Sequence, residues 1–243
     1  MFVITFANPK GGSGKTTSAM LLAEQIQAAG AAVTILDCDP NQNIVAWGAA
    51  RAKQGLAIPF HIVPVPDEDS ILDTIDAMRA SADYLIVDLE GTASQTVTYA
   101  VSQSDLVLVP FEPTPMEARQ AARAVQLVRN TARMANRTIP HALLLTRVNA
   151  AFQTSEEKDV RKDTQSHDIP VLKTAIVRRA AYTRIFREGM LVSELRALAA
   201  EQLKGASASA QDRILKPFDS ALKNAQDFAQ EVLDGLVQKA AAA

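Results

Sequence analysis

The chain has 243 residues, of which 48% are hydrophobic and 21% are charged, and its net charge at pH 7 is −2. This length allows one large domain or two small ones, and the apolar content supports a sizeable core. No apolar run approaches the ~20 residues of a membrane-spanning helix, and the N-terminus lacks the basic-then-apolar pattern of a signal peptide. The one cysteine, Cys38, excludes an internal disulfide and favours a reducing, cytoplasmic setting.

Apolar, β-branched runs alternate with helical patterns along almost the whole chain. Strands are predicted at residues 2–7, 32–36, 61–65, 84–89, 106–109, 142–148 and 171–176. Helices are predicted at residues 16–29, 43–54, 70–80, 94–102, 115–136, 155–166 and 180–187, followed by a loop at 205–210 and a last helix over about 211–239. This alternation predicts an α/β fold with a doubly wound, mostly parallel sheet and helices on both faces. We expect a single domain over residues 1–243, with a C-terminal helical segment at about 191–239.

A glycine-rich segment, Asn-Pro-Lys-Gly-Gly-Ser-Gly-Lys-Thr-Thr at residues 8–17, joins the first predicted strand to the first helix. Its glycines let backbone N–H groups close around phosphate oxygens, and the helix N-terminus adds partial positive charge. Lys15 can reach the β- and γ-phosphates of a nucleotide, and the Thr16 hydroxyl can join a Mg²⁺ shell. The segment therefore predicts a site for ATP and Mg²⁺. The predicted nucleotide-binding residues are Gly11, Gly12, Ser13, Gly14, Lys15, Thr16 and Thr17.

The loop differs from the ordinary G-x-x-x-x-G-K-[ST] pattern, because Pro9 stands where that pattern has glycine and Lys10 follows it. This deviant form resembles the ParA/MinD family of Walker-type ATPases. The resemblance implies an ATP-bound sandwich dimer in which Lys10 of each subunit reaches the nucleotide of its partner. There it would neutralise charge on the transferring phosphoryl group, much as an arginine finger does. The alternative is that Lys10 is a solvated cation of the loop.

Carboxylates follow two of the predicted strands. Leu36-Asp37-Cys38-Asp39-Pro40-Asn41-Gln42 resembles the D-x-D-P-Q segment of the family. By position, Asp39 would orient or activate the hydrolytic water and Asp37 would support the metal end of the site. Alternatively, Asp39 or Asn41 only caps the next helix.

The strand Tyr84-Leu-Ile-Val-Asp88 resembles a Walker B strand, in which Asp88 would hold magnesium through water. Many buried strands end in an aspartate at a turn, so this motif alone is weak. The next residues depart from the family's D-x-P-P, yet Gly91 could offer its N–H group to a γ-phosphate. Glu90 could position water or belong to a surface switch. Asn149 ends the sixth strand and is either a contact for the adenine edge or a turn former.

Basic residues are concentrated in two segments. The stretch from Ala118 to Ser155 has six arginines and no acid, and Arg119, Arg123, Arg133 and Arg137 could share one helical face. A second segment runs from Ile169 to Phe186, followed by Arg187. Such segregation is typical of binding to a phosphate backbone, although a solvated helix face is the alternative. The family carries its DNA-binding residues in the C-terminal region, which implies DNA contacts from Lys173, Arg178, Arg179, Arg184 and Arg187.

The resemblance covers about residues 1–195, and residues 181–191 also resemble the VirC-type accessory ATPases of T-DNA transfer. It implies a slow ATPase that dimerises on ATP, binds non-specific double-stranded DNA and positions DNA or protein cargo. A stimulating protein of ParB or cargo-adaptor type, a cytoplasmic location and nucleoid association in the ATP-bound state are also implied. The alternatives are a MinD-like switch at a membrane surface and an amidoligase-type enzyme. The acidic C-terminal helix argues against the first, and we expect no membrane partner.

Overall fold

Strands and helices alternate along the chain in the computed structural model, which describes residues 1–65, 67, 69–91, 94–167 and 169–242. The strands are β1 Phe2–Phe6, β2 Val33–Cys38, β3 His61–Pro64, β4 Tyr84–Leu89, β5 Leu106–Phe111, β6 His141–Val148 and β7 Ile176–Val177. The helices are α1 Lys15–Ala28, α2 Asn43–Lys53, α3 Ile71–Met78, α4 Gln95–Gln103, α5 Pro115–Met134, α6 Ser155–Ser166, α7 Ala180–Glu188, α8 Val192–Gln202 and α9 Ala208–Ala242.

The described strands form one parallel sheet in the order β3-β2-β4-β1-β5-β6-β7, which confirms the predicted α/β fold. β1 lies inside the sheet, with β2 to β4 on one side of it and β5 to β7 on the other. The direction in which strands are added therefore reverses at β1. In open α/β sheets the crevice for a ligand lies at such a reversal, outside the carboxyl ends of the strands. The segment that follows β1 is the glycine-rich one.

Two apolar cores cover the two faces of the sheet. Ile4 and Phe6 of β1 lie in the core that contains residues of α1, α7, α8 and α9. Val3 lies in the core that contains residues of α3, α4 and α5. Successive side chains of a strand point to opposite faces, so strands that are buried on both faces have the near-continuous apolar runs seen in the sequence.

The end of the sheet differs from the prediction, because β7 has only two residues. Val171 forms an isolated bridge with Leu143, but the chain then leaves the sheet. The N–H groups of Lys173 and Thr174 donate to the carboxylate of Glu231 on α9, at 2.7 and 2.8 Å. A side chain from the C-terminal helix thus replaces the strand partner that the sequence predicted.

Two helix ends also differ from the prediction. α9 begins at Ala208 and so includes part of the predicted 205–210 loop. α5 ends at Met134, and Asn136 follows with φ of 50°. Arg137 therefore lies outside α5, so the prediction that it shares a helical face with the other arginines is wrong. Its guanidinium donates instead to the carbonyl oxygens of Ser102 and Ser104 at the C-terminal end of α4, at 2.9 and 2.8 Å.

Among the described residues, we find no helix with both the length and the apolar character that a membrane span requires.

Candidate functional site

The glycine-rich loop between β1 and α1 is held by contacts to distant strands. Gly14 precedes α1 with φ of 98°, which strongly favours glycine. A Cβ atom at Gly14 would also lie 3.2 Å from the side chain of Thr146 on β6. The Thr146 hydroxyl donates to the Ser13 carbonyl oxygen at 2.8 Å. β6 therefore supports the loop from behind, across 133 residues of sequence.

Asn8 fixes the start of the same loop. Its Nδ2 donates to the Pro110 carbonyl oxygen at 2.7 Å, and its Oδ1 accepts from the Lys10 N–H at 2.9 Å. The first contact ties the loop to β5 and the second shapes the turn itself. Asn8 was not among the predicted site residues, and no local pattern marked it, because its main partner is 102 residues away.

Lys15 is buried at the base of the loop, with its Nζ donating to the carbonyl oxygens of Asn8 and Lys10 at 3.2 Å each. Burial lowers the pKa of Lys15, and the charges of Asp88, Asp39 and Glu90 oppose that effect. These three carboxylates therefore lie near enough to favour the ammonium form. The predicted lysine and the predicted acids share one site.

Lys10 lies beside α5 of its own chain, where its Nζ forms an ion pair with Oε1 of Glu117. Glu117 is only 8% exposed, and its Oε2 has no hydrogen-bond partner among the described residues. Lys10 is therefore not a free solvated cation in this structure. Glu117 was missing from the prediction, since 107 residues separate it from the loop.

Asp37 at the end of β2 caps the following helix. Its Oδ2 accepts from the N–H groups of Ile44 and Val45 at 2.9 and 3.0 Å, and burial raises its pKa. Asp37 therefore performs the capping role that the sequence offers as an alternative for Asp39 or Asn41. The Oδ1 of Asp37 accepts from the Asp39 N–H at 3.4 Å. Asp37 thus shapes the turn that carries Asp39.

Asp39 lies half-exposed beyond this cap. Its Oδ1 accepts from both the backbone N–H and the Nδ2 of Asn41, at 2.8 Å each. Asn41 therefore orients the Asp39 carboxylate rather than capping α2. The charge of Asp39 favours the ammonium form of the buried Lys15, so the two residues share one site. This position is compatible with the predicted role of Asp39 in orienting or activating water.

Asp88 at the end of β4 is 1% exposed, and neither of its oxygens has a hydrogen-bond partner among the described residues. Burial raises its pKa to about 7, helped by the charge of Asp37, whereas the Thr16 hydroxyl and Lys15 lower it. A buried carboxylate without a partner, close to a hydroxyl group, fits a Mg²⁺ site. Mg²⁺ usually takes one or two protein ligands and completes its shell with phosphate and water.

Gly91 lies against the phosphate loop. A Cβ atom at this position would lie 2.6 Å from the Gly11 nitrogen and 3.0 Å from the Lys10 carbonyl carbon. Only glycine allows the two backbones to approach so closely. The segment after β4 therefore meets the loop, which leaves the predicted contact of Gly91 with a γ-phosphate geometrically possible, while Thr92 lies outside the described residues.

A cavity of about 450 Å³ adjoins the loop on the side of α7. Thr17 and Ser18 of α1 form one wall, and Arg179, Tyr182 and Phe186 form another. An aromatic and cationic lining of this kind suits a planar base.

Asn149 does not line this cavity. It lines the neighbouring one of about 770 Å³ with Glu112, and its Oδ1 accepts from the Ala151 N–H at 2.8 Å. The structure thus gives Asn149 the turn-forming contact that was the alternative to binding adenine.

Most of the predicted DNA-binding arginines are paired with carboxylates. Arg178 donates to Glu112 at 2.8 Å. Arg184 and Arg187 both donate to Glu188, at 2.7 and 2.8 Å, and these contacts lower the pKa of Glu188 to about 2. Arg179 lines the cavity beside Thr17, and Lys173 is exposed. The five residues therefore do not form one uncompensated basic patch.

Comparison with known proteins identifies the family to which this chain belongs. The model of the family described as VirC1 protein matches residues 1–236. A protein named ParA from Rhizobium radiobacter is 35% identical over 191 residues, which cover 78% of this chain and 84% of that protein. A protein named virC1 from Rhizobium rhizogenes is 28% identical over 193 residues, which cover 79% and 83% of the two chains. Among solved structures, the ATP complex of a McdA variant from Cyanothece has a TM-score of 0.65 at 17% identity, with coverage of 92% and 96%. The chain belongs to the VirC1 family, within the ParA/MinD group of deviant Walker-type ATPases.

Proposed function

We propose that this protein is an ATPase that dimerises face to face when it binds ATP and Mg²⁺, and that binds non-specific double-stranded DNA in that state. The observation that carries the proposal is the convergence on one loop of a buried lysine, Lys15, and an unpartnered buried carboxylate, Asp88. A second lysine, Lys10, lies at the edge of the same loop. The first two groups are what a nucleotide with its metal ion requires, and the third supports a contact with a partner subunit.

Each residue has a defined task in this proposal. The backbone N–H groups of residues 11–17 surround the phosphates, and Lys15 neutralises their charge. Thr16 and Asp88 hold Mg²⁺, which would offset the charge that develops on the phosphoryl oxygens. Asp39 orients water for attack on the γ-phosphate, and Gly91 donates its N–H group to that phosphate. Asp37 positions Asp39 by capping α2, so any metal contact it makes is secondary.

The nucleotide base would occupy the cavity beside α7. Tyr182 and Phe186 supply aromatic surface there, and Arg179 supplies a guanidinium group. We assign the base contacts to these residues rather than to Asn149, whose amide already closes a turn.

The resemblance of this chain to the ParA-type ATPases supports a role in the positioning or segregation of DNA. The cargo of this chain would be plasmid, chromosomal or transferred DNA, or a protein assembly. Hydrolysis would be slow until a partner protein of ParB or cargo-adaptor type stimulates it. On this proposal the protein is cytoplasmic and associates with the nucleoid when ATP is bound.

The test is binding of a fluorescent ATP analogue with Mg²⁺, followed by binding to a non-specific duplex in ATP, ADP and no nucleotide. Lys15→Ala should lose tight nucleotide binding, whereas the exposed Lys53→Ala should not. DNA binding should appear only with ATP and weaken steeply as salt rises. Normal nucleotide affinity in Lys15→Ala would refute the proposed nucleotide site. Equal DNA binding with ATP, with ADP and without nucleotide would refute the ATP-dependent switch.

A further inference from the structure

The outer ridge of α5 is basic. An α-helix has 3.6 residues per turn, so residues spaced three or four positions apart lie on the same face. Five exposed residues of α5 have this spacing and lie within about 40° of one line along the helix. We call these residues the α5 ridge: Arg119, Arg123, Gln126, Asn130 and Arg133, all exposed. Every one of these side chains is a guanidinium or an amide, and both groups donate well to phosphate oxygens.

Among the described residues, the ridge arginines have no side-chain partner. None of the three forms a side-chain hydrogen bond or an ion pair in the part of the chain that the structure describes. The two amides contact each other, since Gln126 Nε2 donates to Asn130 Oδ1 at 2.9 Å. In the C-terminal cluster, by contrast, Glu112 and Glu188 already compensate Arg178, Arg184 and Arg187. An arginine without a carboxylate partner keeps its full attraction for an external anion.

The surroundings of the ridge differ on its two sides. α4, which packs beside α5, carries no acid from Gln95 to Gln103. Glu117, on α5 itself, is buried against Lys10. Acids do occur on the side of α6, where Glu156, Asp159 and Asp163 line the groove beside Arg119. Carboxylates therefore lie beside the ridge on the side of α6, whereas α4 contributes none.

Charge is strongly segregated along the chain. Residues 118–155 contain six arginines and no acid, while the net charge of the whole chain is −2, so the remaining residues together carry −8. Arg119 and Arg133 are separated by about 21 Å along the helix axis. A duplex presents one phosphate charge for roughly every 1.7 Å of its axis, so one duplex can meet all three ridge arginines.

We infer that the α5 ridge is the surface that contacts the phosphate backbone of double-stranded DNA, in place of the C-terminal arginines. This inference rests on the proposed function, because it names the surface through which the ATP-bound dimer would hold DNA. It predicts binding without sequence preference, since contacts to phosphates do not read bases.

The experiment compares three proteins that bind a labelled non-specific duplex with ATP present, over a range of salt concentrations. One is the wild type and one carries Arg119→Gln, Arg123→Gln and Arg133→Gln. The third is a charge-matched control that carries Arg213→Gln, Lys216→Gln and Lys223→Gln on α9. The ridge variant removes six phosphate contacts per dimer, so the slope of log affinity against log salt should fall by about 5, and affinity near 0.1 M salt by roughly 100-fold or more. The control should stay within about threefold of the wild type.

ATP-dependent dimerisation, followed by light scattering, should be the same in all three proteins, which shows that the ridge variant is folded. Should the triple variant not fold, Arg123→Gln and Arg133→Gln are tested singly, and each should lower the slope by about 2. An equal loss in the α9 control would overturn the inference, as would wild-type affinity in the ridge variants. If only the variant Arg184→Gln/Arg187→Gln lost DNA binding, the C-terminal cluster and not the α5 ridge would be the DNA-binding surface. A wild type that never binds DNA would refute the proposed function together with this inference.

Discussion

The ion pair between Lys10 and Glu117 keeps the second lysine of the loop inside its own subunit. Glu117 is almost buried, and its other oxygen has no partner among the described residues. Removing Lys10 from this contact would leave a buried carboxylate without a counter-charge, which is costly. If Lys10 reaches the nucleotide of a partner subunit, dimerisation must first break this pair.

Glu117→Gln should therefore ease dimerisation, because the neutral amide holds Lys10 less strongly. We expect the ATP-bound dimer of this variant to form at up to about 30-fold lower protein concentration, since a partly exposed pair contributes up to about 1 kcal/mol per subunit and two such pairs break per dimer. Sedimentation with a non-hydrolysable ATP analogue measures this. In a Lys10→Ala background the same substitution should change nothing, and an equal effect in that background would rule out the coupling.

Gly91 tests the contact between the segment after β4 and the phosphate loop. In Gly91→Ala the new Cβ would lie 2.6 Å from the Gly11 backbone nitrogen, so the two segments must move apart. ATP affinity should fall by at least about tenfold, because displaced N–H groups no longer match the phosphate oxygens. The control is Gly235→Ala on α9, where a Cβ meets nothing within 4 Å. Unchanged nucleotide titrations for both variants would show that the close approach has no role in binding.

At the scale of elements, an ion pair between the buried Arg51 and the partly exposed Glu194 joins α2 to α8. Arg51 is 2% exposed, donates to both oxygens of Glu194 at 2.6 and 2.8 Å, and lies 4.8 Å from the Trp47 ring. Arg51→Met removes this pair and the hydrogen bonds from Arg51 to the carbonyl oxygens of Ala57 and Gly189, so unfolding free energy should fall by about 1–3 kcal/mol. Arg79→Met, which breaks an exposed pair with Asp76, should cost less than about 1 kcal/mol. Equal losses of unfolding free energy in the two variants, measured with urea, would contradict a larger contribution from the Arg51–Glu194 pair.

Glu24 on α1 caps the N-terminus of α8, where it accepts from Ser193 N–H at 2.8 Å and from Val192 N–H at 3.3 Å. Burial raises its pKa, and the hydrogen bonds with Ser193 only partly oppose this. The folded protein thus binds the Glu24 proton more tightly than the unfolded chain does. Unfolding free energy should therefore fall as pH rises from the ordinary glutamate pKa through the raised one.

Glu24→Gln should remove this part of the pH dependence. Stability of the variant relative to wild type should increase as pH rises over that range, as measured by urea unfolding at several pH values. The exposed Glu201→Gln provides the control and should follow the wild type. A constant difference between Glu24→Gln and wild type at every pH would mean that the proton on Glu24 is not linked to folding.

Features of the fold that depend on residues close together in the sequence could be predicted, whereas those that depend on distant residues could not. The alternation of strands and helices follows from the spacing of apolar residues, and the phosphate loop from glycines next to each other in the chain. The supports of that loop are not local: Thr146 and Glu117 reach it from 133 and 107 residues away. The short β7 was mispredicted for the same reason, since Glu231 takes its place as partner of the backbone. Residues 169–187 read as one basic segment, yet the acids that compensate it, Glu112 and Glu188, lie outside that stretch.

At the scale of the whole molecule, the reversal of strand order places every proposed catalytic group at one edge of the sheet, the edge formed by the carboxyl ends of the strands. Asp37 and Asp88 are neighbours in the β2–β4 register, and Asp88 is next to Phe6 of β1. The loop that follows β1 is therefore flanked by acids on one side and by β6 on the other. A second subunit that met this edge could complete the site with its own Lys10.

Asp39→Ala tests this arrangement, because it removes the residue proposed to activate water and leaves the nucleotide contacts in place. With ATP and Mg²⁺ the variant should accumulate as a dimer, and its mass by light scattering should rise from 26.1 kDa to about twice that value. ATP turnover should fall by roughly 100-fold or more, since general acid–base catalysis typically contributes about 10²–10⁴-fold. Adding Lys15→Ala should return the protein to a monomer, since nucleotide binding is then lost. Adding Lys10→Ala should also do so if the second lysine acts across the interface, whereas a persistent dimer would confine Lys10 to its own subunit. Wild-type turnover in Asp39→Ala would assign the activation of water to another acid of the site, and Glu90 after β4 would then be tested next.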